Sequence, residues 1–112
     1  MSGVISHDQD GWRVAGWAYR GYLHYVLAEV RHDRALADAV ELAISFQGLH
    51  LPLEDQVADQ RLRPILVRVA DEVIEGARPV SVDGRILDAR SQDQFRQAVA
   101  ELRALFTSWW TA

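Results

Sequence analysis

Aromatic and basic side chains concentrate near the start of the chain, where they could form a binding surface. Five of the ten aromatic residues lie within fourteen positions, interleaved with basic ones: Trp12, Trp17, Tyr19, Tyr22 and Tyr25, with Arg13, Arg20 and His24. Each of these aromatic side chains carries an indole N–H or a phenol O–H. Trp, Tyr and Arg also dominate binding hot spots. This segment is therefore the first candidate for contact with a partner.

The basic residues of this segment form a stripe when the segment is drawn as a helix. The stripe consists of Arg13, Arg20, His24 and Arg31, with Trp17 beside it. Arginine matches carboxylates and phosphates in two-point geometry, so the stripe could bind an anionic ligand or partner. The alternative is internal pairing, because sixteen Asp and Glu residues are available to twelve arginines. The sequence leaves both interpretations open.

Acidic residues form two clusters between positions 54 and 75: Glu54, Asp55 and Asp59, then Asp71, Glu72 and Glu75. They could form an anionic face for a basic partner such as a nuclease, since opposite charge speeds association. The competing interpretation is an ordinary solvated surface, because exposed charges commonly contribute little beyond solubility. Trp110 lies off the apolar stripe of its segment and adds a surface aromatic to the candidate contacts.

The residue types argue against catalysis. The sequence has neither cysteine nor lysine, which excludes thiolate chemistry, Schiff bases and a phosphate-loop lysine. No serine stands in a Gly-x-Ser-x-Gly context, and no two of the four histidines are spaced i, i+4 as ligands on one helix face. We therefore expect no enzymatic activity, no metal and no cofactor.

Composition is typical of one soluble globular domain. The 112 residues are 49% hydrophobic and 25% charged. A net charge of −4 argues against direct binding to nucleic acid. The sequence shows no signal peptide and no apolar run long enough to span a membrane. We expect a cytoplasmic protein that binds no membrane.

Hydrophobic periodicity in the first half predicts two helices after a loosely ordered arm at residues 1–10. Residues 11–31 follow a helical period and predict a central core helix. Asp33 is suited to cap a second helix that ends before Gly48. The predicted buried face of this helix comprises Leu36, Val40, Ala43 and either Ile44 or Phe46.

The second half predicts two more helices and a hairpin. Residues 54–75 are helical in pattern, with a break or kink expected at Pro64. The Asp83-Gly84 pair predicts a β-hairpin near residues 80–87. Ser91 and Gln94 form a capping box before the last helix. The predicted fold is a single, mainly α domain of about four helices, one broken at Pro64, with a small hairpin.

These observations favour a non-catalytic protein-binding module. Its most concrete version is a small bacterial immunity or antitoxin protein that neutralises a cationic toxin, a nuclease included. The alternative is a self-associating regulatory domain, a homodimer for example, with a small-ligand pocket between helices near Trp17, Arg20 and His24. An enzyme subunit completed by a partner is a third class, and no motif supports it.

Overall fold

The computed structural model describes residues 2–110, which form four helices, a three-stranded sheet and a short hairpin. Met1 and residues 111–112 lie outside the described part. In chain order the elements are β1 (Ser2–His7), β2 (Asp10–Ala15), α1 (Gly16–Val30), α2 (Arg34–Phe46), β3 (Gly48–Leu51), α3 (Gln56–Ile74), β4 (Ser81–Val82), β5 (Arg85–Ile86) and α4 (Ala89–Trp110). The mainly α class with four helices and a hairpin is confirmed, whereas the three-stranded sheet was not predicted.

The three-stranded sheet replaces the loose arm that the sequence predicts for residues 1–10. Strand β1 lies in the centre, antiparallel to β2 and parallel to β3. Its side chains alternate in burial, with Gly3 and Ile5 facing the core. The prediction is wrong for residues 2–10 because β1 depends on hydrogen bonds to β3, which follows about forty residues later.

The central helix begins at Gly16 rather than at residue 11. The preceding residues belong to β2, in which Trp12 is buried between exposed neighbours. The indole N–H of Trp12 donates to the carbonyl of Ala98 at 2.8 Å, so the strand is joined to α4. Trp12 and Val14 fit a period of two as well as a helical one, and tertiary contacts select the strand.

Helix α1 forms the centre of the core, as predicted for its residues from 16 onwards. Tyr19 and Tyr22 are fully buried, and each phenol O–H finds a backbone acceptor. Tyr19 donates to the carbonyl of Ala43 in α2 at 2.6 Å, and Tyr22 donates to that of Leu66 in α3, also at 2.6 Å. Burial raises the pKa of both phenols well above the ordinary value. The two tyrosines thus join α1 to its neighbouring helices.

Helix α2 begins as predicted, because Asp33 accepts a hydrogen bond from the N–H of Leu36 at 3.3 Å. The hydrogen bond from Arg61 is the main cause of a lowered pKa at Asp33. At the other end, Gln47 takes the left-handed conformation that the sequence assigns to Gly48, with φ of 56°. Gly48 instead opens β3.

Helix α3 runs through Pro64 without a break, so of the predicted alternatives, a break or a kink, the break is wrong. Asp55 caps its start by accepting from the N–H groups of Val57 and Ala58. The proline removes the hydrogen bond to the carbonyl of Gln60. Both Pro64 and Gln60 are exposed, so water can satisfy that carbonyl and the helix continues.

The predicted hairpin is present as β4 and β5, joined by Asp83 and Gly84, which both have positive φ as this turn requires. Helix α4 begins at Ala89, earlier than the predicted capping box. Asp88 makes the cap, because its Oδ1 accepts from the N–H of Ser91 at 2.9 Å. This hydrogen bond lowers the pKa of Asp88. Ser91 therefore lies within the helix.

Candidate binding sites

The structure divides the predicted basic stripe among several elements. Arg13 lies in β2, exposed, with only a 3.5 Å contact to the hydroxyl of Ser2. Arg31 follows α1 and is also exposed. Arg20 and His24 remain one turn apart on α1. Arg13 is therefore separated from the rest of the stripe, because the segment that carries it is a strand and not a helix.

Arg20 and His24 line a cleft together with Trp17. The cleft encloses about 430 Å³ between α1 and the chain that leads into the hairpin. Its other wall includes Val80, Ser81, Val82 and Asp83. We call this feature the α1 cleft. The sequence predicts a small-ligand pocket near the same three side chains, but between helices, whereas one wall of the cleft is loop and hairpin.

The floor of the α1 cleft depends on Gly21. A Cβ atom at this position would lie 2.9 Å from Cγ2 of Val80 and 3.4 Å from Cε1 of Phe95. Because glycine has no side chain, Val80 packs directly on the helix backbone. The hairpin segment therefore approaches α1 more closely than any other residue type would permit.

Hydrogen bonds fix the hairpin wall of the cleft. The side-chain amide of Gln92 in α4 accepts from the N–H of Val80 and donates to its carbonyl, both at 2.8 Å. The same amide donates to the carbonyl of Leu87 at 3.1 Å. Tyr25 of α1 donates its phenol O–H to the carbonyl of Pro79. The wall is thus attached to both helices that flank it.

The second predicted acidic cluster is mostly paired within the protein. Arg78 donates to Glu72 at 2.7 Å and to Glu29 at 2.6 Å, and these hydrogen bonds raise its pKa. Asp71 accepts from Arg103 at 2.9 Å. Of the three residues of this cluster, only Glu75 is exposed and forms no ion pair with a described residue. This cluster joins helices to each other and offers little free charge to a partner.

The first predicted acidic cluster is also largely structural. Asp59 is only 3% exposed and accepts from the N–H of Leu53 and from Nε of Arg63, both at 2.9 Å. Asp55 serves as the cap of α3. Of the three residues of this cluster, Glu54 alone is exposed and has no partner among the described residues. The prediction that these three form one docking face is therefore not supported by their surroundings.

Trp110 is a half-buried residue rather than a free surface aromatic. Its ring stacks on Phe106 with centroids 4.7 Å apart. The guanidinium of Arg63 lies 5.3 Å from the ring centroid and makes a cation–π contact with it. These contacts leave little of the side chain for a partner.

An exposed apolar surface lies on α2, where the sequence analysis named no site. Leu42 is 58% exposed and Phe46 is 79% exposed. Of the two predicted core alternatives, Ile44 is half-buried against the core and Phe46 is not buried. Leu42 lies outside the predicted buried stripe and four residues before Phe46. This spacing places both side chains on one helix face, and it is the sequence pattern that could have indicated the surface.

These two side chains line a groove of about 710 Å³ between the end of α2 and β3 with its following loop. We call it the α2 groove. The other residues that line it are Ala39, Ala43, Gly48, Leu49, His50, Pro52, Leu53 and Glu54. His50 is oriented by a 2.6 Å hydrogen bond between its Nδ1 and the hydroxyl of Ser6. The groove is thus apolar on the helix side and mixed on the strand side.

One unpaired carboxylate lines the α2 groove, and two more lie on the α2 helix that forms its wall. Glu54 lines it, and Asp38 lies one turn before Leu42 on the same helix face. Glu41 adds a further carboxylate beside Leu42. None of the three forms an ion pair within residues 2–110, and Arg34, one turn before Asp38, is not paired with it either. The groove therefore combines apolar area with free negative charge.

One edge of β3 is open beside the groove. The strand order β2-β1-β3 places β1 on one side of β3 and no described strand on the other. An open edge presents unpaired N–H and C=O groups that an extended segment of another chain can use. The edge is only four residues long.

Other kinds of site find no counterpart in the described chain. Within residues 2–110, no three histidine or acidic residues are grouped closely enough to hold a metal ion. No helix of that region is both long and apolar enough to cross a membrane. Comparison with protein-family models, curated proteins and solved structures found no match to this chain.

Proposed function

We propose that this protein is a non-catalytic protein-binding module and that its contact surface is the α2 groove. The observation that carries the proposal is the exposure of Phe46 beside Leu42. Burial of apolar surface contributes about 25 cal/mol per Å². Aromatic side chains that insert into a partner commonly dominate the binding energy. Two adjacent side chains of this kind are suited to anchor a partner.

The free carboxylates around the groove indicate the chemistry of that partner. Asp38, Glu41 and Glu54 favour a surface with basic side chains around an apolar pocket. The predicted acidic clusters supply less free charge, because three of their six members, Asp59, Asp71 and Glu72, bind the protein's own arginines. The most concrete version of the proposal is an immunity-type protein that neutralises a cationic toxin, a nuclease included.

The negative charge of the groove also favours a different protein, rather than a second copy of this chain, as the binding partner. Two copies that met through the α2 groove would bring like charges together, which disfavours association. The net charge of −4 acts in the same direction. The proposal therefore places a homodimer second to a complex with a basic protein.

Affinity capture from the source cells tests the proposal, with the full chain as bait. The groove variant carries Leu42→Ser and Phe46→Ser. The matched control is Ile86→Ser, which changes a side chain that is 72% exposed on the hairpin. We expect a basic protein to be retained in stoichiometric amount by the wild type and by the control, and to be lost with the groove variant.

Two outcomes contradict the proposal. One is that no stoichiometric partner is recovered with the wild type. The other is that the groove variant retains the partner as well as the control does. Circular dichroism of both variants confirms that the fold is intact, so loss of the partner reports on the surface alone.

A further inference from the structure

Arg20 differs from every other partly buried arginine of the described chain because no carboxylate pairs with it. The arginines that are partly buried and paired are Arg63, Arg78, Arg96 and Arg103. The remaining unpaired arginines within residues 2–110 are all exposed. A charge that is removed from water without a partner costs free energy. The environment of Arg20 therefore favours an anion that the protein itself does not supply.

We propose that the α1 cleft binds a small organic anion, with its carboxylate or phosphate group on Arg20 and its planar body against Trp17. This site lies on α1 and the hairpin, apart from the α2 groove, and does not depend on the proposed protein partner. The cleft volume of about 430 Å³ suits a molecule of this size.

Residues with hydrogen-bond donors line both walls of the cleft. Arg20 offers a planar fork that can bind two oxygen atoms at once. His24 lies one turn further along α1, and the hydroxyl of Ser81 lies on the hairpin wall. None of these groups has a hydrogen bond or ion pair with another described residue. Trp17 is half-buried and supplies an apolar face next to them.

Hydrogen bonds within the protein fix the walls that carry these donors. Gln92 fixes the backbone of Val80, and Tyr25 fixes that of Pro79. Gly21 sets the separation between the walls. A ligand therefore binds without first ordering the cleft, which reduces the entropic cost of association.

Asp83 sets the charge that the site accepts. Its carboxylate lines the cleft at the hairpin turn and forms no ion pair with Arg20 or His24. A doubly charged phosphate meets more repulsion from this carboxylate than a singly charged carboxylate does. We therefore expect a preference for an aromatic monocarboxylate over inorganic phosphate.

The test is a titration of the full chain followed by ¹H–¹⁵N NMR at constant ionic strength. The probes are sodium benzoate, sodium acetate and inorganic phosphate. We expect benzoate to shift the indole signal of Trp17 and the amides of Gly21 and residues 80–82. Benzoate should bind about tenfold more tightly than acetate, since one buried aromatic contact contributes on the order of 1.4 kcal/mol.

Variants identify the residues responsible. Arg20→Gln should weaken benzoate binding at least about tenfold, because a charge-assisted bidentate contact is lost. Arg13→Gln is the matched control, since it removes an exposed arginine outside the cleft. His24→Gln should weaken binding by a smaller factor while leaving the fold unchanged. Asp83→Asn should tighten phosphate binding more than benzoate binding.

Equal losses in Arg13→Gln and Arg20→Gln would overturn the inference, as would shifts spread over the whole surface, because either result describes an adventitious ion only. The Leu42→Ser, Phe46→Ser variant should bind benzoate as the wild type does. Failure of the α1 cleft and failure of the proposed protein-binding function can therefore be recognised separately.

Discussion

Gly3 lies where the sheet comes closest to the central helix. A Cβ atom at Gly3 would stand 2.1 Å from Cγ of Tyr19. This steric clash cannot be relieved while the ring keeps its position. Tyr19 in turn is fixed by its hydrogen bond to Ala43. A Cβ atom at residue 3 would therefore prevent β1 from packing this closely on α1.

We predict that Gly3→Ala lowers the free energy of unfolding by about 3 kcal/mol, at the upper end of the usual cost of overpacking. Urea denaturation of the wild type and the variant measures this difference. Gly11→Ala is the control, because its nearest contact is 3.6 Å from the added atom. Equal stability of the Gly3 variant and the control would show that the sheet shifts without cost.

The three tyrosines predict how stability depends on alkaline pH. Burial raises the pKa of Tyr19, Tyr22 and Tyr25 in the folded state, and Asp71 adds to the effect at Tyr22. A raised pKa means that the folded state favours the neutral phenol. The stabilisation is therefore complete below the unfolded value of about 10 and is lost as the pH rises above it.

We expect the free energy of unfolding to change little between pH 8 and about 9.5 and to fall steeply above pH 10. The chain has neither lysine nor cysteine, so tyrosine is the main side chain that titrates in this range. Absorbance at about 295 nm, where phenolate absorbs, should show that Tyr19 and Tyr22 stay neutral while the protein is folded. Early ionisation of all three tyrosines in the folded protein would contradict the assignment.

Single residues also show the limit of reading charge from sequence. Asp59 was a candidate for a partner surface, yet it is buried and bound to Arg63, four residues later. That spacing was visible in the sequence and predicts an ion pair on one helix face. The burial was not visible, because it depends on the path of the loop before α3, where the N–H of Leu53 donates to Asp59.

At the scale of elements, the helices were predictable where their signals are local. Asp33 and the apolar residues that follow it correctly indicate α2, and the Asp83-Gly84 turn correctly indicates the hairpin. The strands β1 and β3 were not predictable, since each is short and is stabilised by the other. Trp12 was assigned to a helix for a similar reason, because its strand β2 also depends on pairing within this sheet.

Gln92 gives a test of how one element positions another. We predict that Gln92→Ala destabilises the protein by about 2 kcal/mol, because the buried N–H of Val80 loses its partner and its C=O keeps only the N–H of Leu87. The amide of Val80 should exchange with deuterium more than about tenfold faster, since 1.4 kcal/mol corresponds to a factor of ten.

Gln97→Ala is the matched control, because Gln97 lies exposed on the same helix. This change should leave stability and exchange at Val80 unaltered or slightly improve them, since alanine favours the helix. Unchanged exchange at Val80 in the Gln92 variant would mean that the remaining contacts, such as packing on Gly21 and the hydrogen bond from Tyr25 to Pro79, are enough to hold the hairpin.

For the whole molecule, the distribution of free charge matters more than the net charge. Three of the six predicted acidic residues, Asp59, Asp71 and Glu72, bind internal arginines, whereas Asp38 and Glu54 near the α2 groove do not. A charge count from sequence does not separate these groups, because pairing depends on which helices become neighbours. The candidate surface was missed for this reason and because Phe46 was assigned to the core.

We predict that Asp38→Asn with Glu54→Gln slows association with the basic partner about tenfold at low salt, while the dissociation rate changes little. The difference should shrink as salt is added. Glu75→Gln with Glu101→Gln is the control, because it removes the same charge from exposed positions away from the groove. Surface plasmon resonance measures both rates, and equal effects of the two pairs would refute a role for the groove charges.

The parallel pairing of β1 with β3 has a consequence for the order in which the chain assembles during synthesis. Ser6 leaves the ribosome long before His50, 44 residues later, and the two meet only when β3 has formed. Until then β1 can pair with β2 alone, and its other edge is open to strands of other chains. The first strand to be made is thus among the last to be completed, and the interval corresponds to the synthesis of α1 and α2.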